Sequence, residues 1–506
     1  MDILEKICLR AKYNGEAAAI QSMDGMLTYG QLEDYSNRLA AYIEDECQAD
    51  RSPVVVYGHK NPYMIVCFLA CVKSGRAYCP VDTSVPESRV QAIIDAVSGP
   101  ILLEAEPLSS SCKKKVGLDE IMDISRNYHK FIEKYSRVKP EDIFYIIFTS
   151  GSTGVPKGVQ ITTGCLNHFL DWSVNLGTSP EEKEGKVFLN QAPFSFDLSV
   201  MDLYTSLACG GQLWTLDKAT QGNYASLLES LGRSNTGIWV STPSFADICL
   251  TDHKFNQQLM PEMELFLFCG ETLTNSTAQK LMQRFPNARI FNTYGPTEST
   301  VAITSVEITG ELNRTVSPLP VGCVKPGTKV AIYKSDGTEA PEGERGEIHI
   351  IGDTVSPGYF KQPEQTEKSF YDVRQGCRTI RAYRTGDEGY LKDGLLYYCG
   401  RIDLQVKLHG YRIELEDIES NILKLDGINN AVVVPRVKQG QIKSLAAFII
   451  YDKKKENDKE VSREIKGRLK QVLPEYMVPK KLVFIDKMPV TVNGKADRKY
   501  LGGLLT

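Results

Sequence analysis

Apolar and polar positions along this chain alternate with two different periods, and the switching between them predicts its elements. In LTYGQLEDYSNRLAAYIED (27–45) the apolar residues recur close to every 3.6 positions, which predicts an amphipathic helix opened by a Thr28 cap. SPVVVYG (52–58) and FYIIF (144–148) are short β-branched and aromatic runs, the composition of buried strands. From 187 to 300 the strand-like runs VFLNQAPFSF, GGQLWTL, GIWVSTPSF, LFLFCGE and RIFNTYG are separated by helical stretches, the order expected of α/β layers with largely parallel sheets. From about 318 glycine and proline punctuate shorter strands, which predicts a β-rich subdomain through residue 400. The last hundred or so residues carry helix signals at 415–425 and 458–472 and the strands AVVVPRV and SLAAFII. They read as a separate small α+β domain with its boundary near GRIDLQ (400–405). The expected fold is therefore α/β: a large N-terminal domain over 1–400, of two α/β layers plus a β-rich subdomain, and a C-terminal domain over 401–506.

Composition narrows this picture by exclusion. At 506 residues the chain exceeds one typical domain, so at least two cores are expected. The net charge is −4, and no basic run interleaves with aromatics, so nucleic acid is not an expected partner. The longest apolar run, YMIVCFLACV (63–72), covers half a bilayer and is flanked by Pro62 and Lys73; a buried helix is expected there, with no membrane insertion. Thirteen irregularly spaced cysteines without a C-x-x-C pair or a leader-like segment point to reduced thiols and a cytoplasmic location. The six histidines are scattered, which argues against a protein-built zinc site. YDKKKENDKE (451–460) reads as a solvated loop.

Five segments carry candidate chemistry. FTSGSTGVPKGVQI (148–161) places Thr149, Ser150, Gly151, Thr153 and Lys157 between two strand-like runs, supplying backbone N–H groups, hydroxyls and a cation for a phosphate cradle. Pro156-Lys157-Gly158 stands where a Walker loop has Gly-Lys-Ser/Thr, so this is no ordinary P-loop, and a flexible glycine-rich turn is the alternative. FNTYGPTE (291–298) joins a strand end to a turn, with a flat face in Tyr294 and a hard carboxylate suited to Mg²⁺ in Glu298, although alone it also fits a mere Pro-containing turn. YRTGDEGY (383–390) sets Asp387 after a glycine, where a carboxylate can bind a ribose diol or merely close an acidic turn. YYCGRIDLQVKLHGYRIEL (397–415) carries Arg401 and Asp403 at the expected domain junction, and PVTVNGKADR (489–498) puts Lys495 in an Asn-Gly turn.

In this order, the five segments resemble the adenylate-forming superfamily of acyl-CoA synthetases, luciferase-like enzymes and nonribosomal peptide synthetase adenylation domains, over essentially the whole chain. A narrower set, FLNQAPFSFDLSVMD (188–202), VSTPSFADICL (240–250), LFLFCGETL (265–273) and FNTYGPTESTVAIT (291–304), resembles the ligases that load D-alanine onto a carrier protein for teichoic acid D-alanylation in Gram-positive bacteria. The resemblance implies attack of the amino acid carboxylate on the α-phosphorus of ATP, release of pyrophosphate, and transfer of the acyl group to the thiol of a separate, phosphopantetheinylated D-alanyl carrier protein. No enzyme nucleophile is required, and positioning and charge stabilisation do the work.

The same resemblance assigns residues. Thr149 through Lys157, with Ser150, Gly151 and Thr153, would hold the β- and γ-phosphates, and Asn292, Thr293, Tyr294, Gly295, Pro296 and Thr297 would hold adenine and the α-phosphate side. Glu298 would help to hold Mg²⁺, Asp387 the ribose hydroxyls, and Tyr398, Cys399, Gly400 and Arg401 would lie nearby. Lys495 would touch both carboxylate and α-phosphate, carried in and out by a mobile C-terminal domain that swings about Asp403. Asp197 would pair with the substrate ammonium, although an Asp before an apolar run also suits a helix cap. Cys269 and Val301 would wall a pocket sized for a methyl group, Cys269 acting through its shape and selecting the D enantiomer. Cys399 departs from the polar or small residue usual in relatives. An L-amino-acid adenylation enzyme, an acyl-CoA ligase and a non-catalytic amino-acid or nucleotide sensor are the competing readings; Asp197 speaks against a plain fatty acid, which has no ammonium to pair.

Overall fold

The chain is described by a computed structural model at residues 1–23, 25–112, 114–132, 139–149, 156–438, 441–452, 458–490 and 496–505. It divides into two compact units, the first comprising Met1–Thr83, Ile94–Phe148 and Gly158–Ile402, the second Ser84–Ile93, Thr149–Lys157 and Asp403–Thr506.

Three sheets build the first unit. A nine-stranded sheet has a parallel centre in which Gln212–Thr215, Val187–Asn190, Thr236–Ser241, Leu265–Phe268 and Arg289–Tyr294 lie side by side. Every residue of Thr236–Ser241 and Leu265–Phe268 is buried, as parallel strands covered on both faces require. Register aligns Asn190 with Val240, Ser241 with Phe268, and Phe268 with Asn292, so the strands end in one row and the loops that follow them converge. A seven-stranded sheet is centred on Ile143–Thr149, Tyr78–Val81 and Val54–Tyr57. A five-stranded antiparallel sheet contains Gly346–Gly352, Arg378–Lys392 and Leu395–Arg401.

Local sequence explains the helices that cover these sheets. Tyr29–Cys47 begins with a reciprocal capping box between Thr28 and Gln31. The apolar run after Pro62 is a helix, Pro62–Lys73, capped by Asn61 and buried at every position. The Lys73 ammonium at its end reaches Glu33 at 2.8 Å, Ser36 at 2.7 Å and Asn37 at 2.9 Å, so a buried cation is fully answered. Among the described residues no helix is long and apolar enough to cross a membrane, and all thirteen cysteines are free thiols.

The second unit has its own core of aliphatic residues from Val406 to Val478. Ile428–Lys438, Gln441–Tyr451 and Lys481–Phe484 form its three-stranded sheet, packed with Leu415–Leu423 and Asp458–Leu469. Arg498, which opens the helix Arg498–Gly503, grips Glu419 through two contacts of 2.5 and 2.9 Å and ties that helix to Leu415–Leu423. Residues 453–457 of the expected solvated loop lie outside the described residues.

Candidate active site

The loops at the row of strand ends carry Asp197, Cys269, Gly295, Pro296, Thr297, Glu298 and Val301. After Arg289–Tyr294 the chain turns at Gly295, and a Cβ there would stand 2.5 Å from Ala302 Cα and 2.7 Å from the Val301 carbonyl, so only glycine fits. The segment that presses on it holds Thr300 at φ +61 and Val301 at φ +69, two adjacent β-branched residues in the left-handed region. Such backbone is costly and persists where its surroundings enforce it, commonly at functional sites. The Thr300 hydroxyl donates to the Thr354 carbonyl at 2.8 Å, and Val301 is brought against Cys269, whose Sγ lies 3.8 Å from the Val301 carbonyl. Both are buried. The residues expected to wall the side-chain pocket are therefore in contact although 32 positions apart.

Asp197 occupies the cap position of Leu198–Cys209 but does not act as a cap. Its own backbone is already helical, at φ −61 and ψ −25, and its side chain makes no capping bond. The carboxylate instead accepts the Thr297 hydroxyl at 2.6 Å, with the residue 7% exposed. Thr297 thus orients a buried anion on the same turn that carries Val301, the arrangement a small ammonium-bearing ligand needs.

A second group gathers on the five-stranded sheet. Asp387 pairs with Arg401 across adjacent strands, Arg401 Nη1 donating to Oδ1 at 2.8 Å while the Tyr294 hydroxyl donates to Oδ2 at 2.6 Å. Two bonds leave acceptor sites on a carboxylate that has about four lone-pair positions in all. The rings of Tyr294 and Tyr398 stand 5.8 Å apart, and burial, with the Asp387 charge beside it, pushes the Tyr294 phenol far up, so it stays a donor. The ladder skips Cys399: Glu388 opposes Gly400 and Gly389 opposes Tyr398, a bulge of the kind that re-aims side chains beside sites. Gly400 has φ +131, and burial raises the Cys399 thiol. Asn292 and Thr293 point back into the scaffold, Asn292 Nδ2 donating to the Pro320 carbonyl at 2.8 Å and the Thr293 hydroxyl to the Phe268 carbonyl at 2.9 Å.

Glu298 is fully buried in the short turn Thr297–Ser299, where its Oε1 accepts the Tyr359 hydroxyl at 2.8 Å. Among the described residues no three His, Cys, Asp or Glu side chains converge into a metal cage. One buried, oriented carboxylate fits an ion such as Mg²⁺, which keeps most of its ligands from phosphates and water.

In the second unit the Thr149 hydroxyl donates to the Lys157 carbonyl at 3.5 Å, and Lys157 Nζ lies 3.6 Å from the Glu414 carboxylate. Asp403 is the first residue of that unit's long segment and accepts the Gln405 amide at 3.1 Å. Ser150, Gly151 and Thr153 of the glycine-rich loop, and Lys495, lie outside the described residues; Val490 and Ala496 form an antiparallel bridge.

Sequence reasoning missed the residues that hold these groups. Tyr359 orients Glu298 from 61 positions away, and Thr385 sets Asp387 by accepting its amide at 2.9 Å. No local signal marks the first; the second is an ST-turn type of contact readable in RTGD.

Comparison with known proteins finds relatives over nearly the whole chain. Residues 9–360 match the family model described as AMP-binding enzyme, and 417–495 match the AMP-binding enzyme C-terminal domain. A Bacillus cytotoxicus protein named D-alanine–D-alanyl carrier protein ligase is 46% identical over 508 residues, covering 99% of each chain, and a Bacillus anthracis protein of that name is 46% identical over 507. Among solved structures, PA1221, a nonribosomal peptide synthetase protein with adenylation and carrier domains, superposes with a TM-score of 0.83 at 25% identity over 99% of this chain and 84% of its own. The Vibrio cholerae adenylation domain AlmE, solved with glycyl-adenosine-5′-phosphate, gives 0.81 at 22% identity over 99% of this chain and 96% of its own.

Proposed function

We propose that this chain, which belongs to the AMP-binding enzyme family, is a D-alanine–D-alanyl carrier protein ligase that works in the cytoplasm and serves teichoic acid D-alanylation. One observation carries the substrate reading: a buried carboxylate, Asp197, is oriented by Thr297 rather than used as a helix cap, on the turn that sets Val301 against Cys269. Nearly full-length relatives of that name at 46% identity support it.

In the first half-reaction a D-alanine carboxylate oxygen attacks the α-phosphorus of ATP. The bond from that phosphorus to the bridging oxygen breaks, and pyrophosphate leaves with the electron pair. Asp197 would hold the ammonium and the Cys269–Val301 wall the methyl group, so that the carboxylate is presented in one orientation. Tyr294 and Tyr398 would hold adenine while Asp387, already oriented by Tyr294 and Arg401, takes the ribose hydroxyls. Glu298 would give Mg²⁺ a carboxylate, and the ion would neutralise triphosphate charge. Thr149 to Lys157 would clamp the departing pyrophosphate, and Lys495 would spread the charge growing on the α-phosphate. In the second half-reaction the thiol of a phosphopantetheinylated carrier attacks the acyl carbonyl, AMP leaves, and a thioester forms. A swing about Asp403 would take Lys495 out and admit the thiol.

Labelled D-alanine, ATP and Mg²⁺ incubated with this protein and a phosphopantetheinylated D-alanyl carrier should yield labelled carrier with equimolar AMP and pyrophosphate. No label on the carrier, or equal labelling of its apo form, would refute the reading.

A further inference from the structure

Behind the loop that ends at Asp197 the first unit holds a buried polar set with no part in the chemistry above. Lys60 stands in the turn between Val54–Tyr57 and Pro62–Lys73, at φ +59, and is 1% exposed. Its Nζ donates to the Asn190 side-chain oxygen and to the Ala192 carbonyl, lies 3.4 Å from the Asn190 carbonyl, and sits 4.9 Å from the Phe194 ring centre. Asn190 Nδ2 in turn donates to Asp202 Oδ1 at 2.7 Å, on the helix that Asp197 leads. Asn190 and Asp202 are fully buried.

A cation and a carboxylate in such a place are expensive to bury, and an apolar side chain of similar volume would fill the space at lower cost. What the polar set supplies is direction. From one point Lys60 holds the end of the Val187–Asn190 strand and the start of the loop, and through Asn190 it reaches the helix beyond the loop. The helix side is closed by the loop's own bonds, Phe196 N to the Pro193 carbonyl at 2.9 Å and Ser199 N to the Phe196 carbonyl at 3.0 Å. Only six residues, 191–196, separate the gripped strand end from Asp197, so a shift at Ala192 is carried to its carboxylate. Burial pulls Lys60 down to about 7 and raises Asp202 well above the usual carboxylate range. Neutral or charged, Lys60 keeps at least two N–H donors for its two close acceptors.

We propose that Lys60 is a positioning residue for amine recognition: through Asn190, Ala192 and Asp202 it sets where the Asp197 carboxylate stands. The proposal rests on the reading of Asp197 as the partner of the substrate ammonium.

Propionate is D-alanine with the ammonium replaced by hydrogen, so the D-alanine-to-propionate ratio of kcat/KM in pyrophosphate exchange reports the amine contact. Full-length Lys60→Met, Asp202→Leu and Asp197→Asn are compared with the parent at saturating ATP and Mg²⁺. Lys60→Met should lower the ratio about ten- to a hundredfold, the cost of a misplacement of about 1 Å, mostly through the KM for D-alanine and with the KM for ATP unchanged. A general loss of structure would move both KM values and leave the ratio alone. If Asp197→Asn collapses the ratio while Lys60→Met keeps it, the positioning role is overturned and the Asp197 reading stands. If Asp197→Asn itself keeps the ratio, the Asp197 reading falls and this inference with it. Should Lys60→Met fail to fold, Asp202→Leu, which removes the acceptor of the Asn190 amide, decides: a lowered ratio supports the proposal, an unchanged one overturns it.

Discussion

Replacing Asp197 by Asn separates the two roles that its place in the chain allows. A carboxylate that capped Leu198–Cys209 would contribute about 0.5–2 kcal/mol to stability. No such bond exists, and the oxygen that accepts the Thr297 hydroxyl at 2.6 Å has a counterpart in the asparagine amide oxygen. The stability change should therefore stay below about 1 kcal/mol, an ordinary hydrogen bond's worth, and the melting temperature should move by no more than about 2 °C in a chain of this size. Catalysis should behave differently. At 7% exposure the carboxylate would meet the substrate ammonium largely out of water, and truncating one partner of a buried charge pair costs about 2–5 kcal/mol, roughly 30- to 4,000-fold in affinity. In pyrophosphate exchange with D-alanine varied, kcat/KM should fall within that range while the KM for ATP stays put. A fall of less than about threefold, or a melting temperature lowered by many degrees alongside it, would refute the assignment and return Asp197 to the scaffold.

Three further substitutions probe the rest of the site. Lys495→Ala should slow adenylation by about 10²–10³ at nearly unchanged ATP affinity, the cost of one charge-stabilising contact; an unaltered exchange rate would exclude that role. Cys269→Ala cuts back the wall beside Val301 and should lower the D-alanine to L-alanine ratio of adenylation, and an unchanged ratio would show that the thiol's bulk does not choose the enantiomer. Tyr359→Phe removes the donor held 2.8 Å from Glu298, and the Mg²⁺ concentration for half-maximal exchange should rise about tenfold, as for other partners of metal-binding carboxylates; no change would mean that Glu298 does not serve the ion.

Legibility differed by kind of residue. The parallel strands at the centre of the nine-stranded sheet could be read in advance because strands buried on both faces leave unbroken apolar runs, as LFLF at 265–268 does. Thr28 likewise announces its helix, because a capping box is a local device of four residues. Asp197 was ambiguous for the same local reason: an Asp before an apolar run fits a cap, and only the backbone angles and the reach to Thr297, 100 residues on, decide against it. Val301 is one more valine in STVAIT, and nothing local declares its left-handed backbone, which the packing against Gly295 imposes. Lys60 is the extreme case. In GHKNP it looks like a lysine on a surface turn, and its burial depends on groups 130 and 132 positions away.

The most direct test of the whole account is pyrophosphate exchange with D-alanine, L-alanine and glycine side by side under identical ATP and Mg²⁺. Exchange that is fastest with D-alanine, with L-alanine and glycine well behind, is the predicted result; preference for L-alanine, or exchange with none of the three, would contradict it.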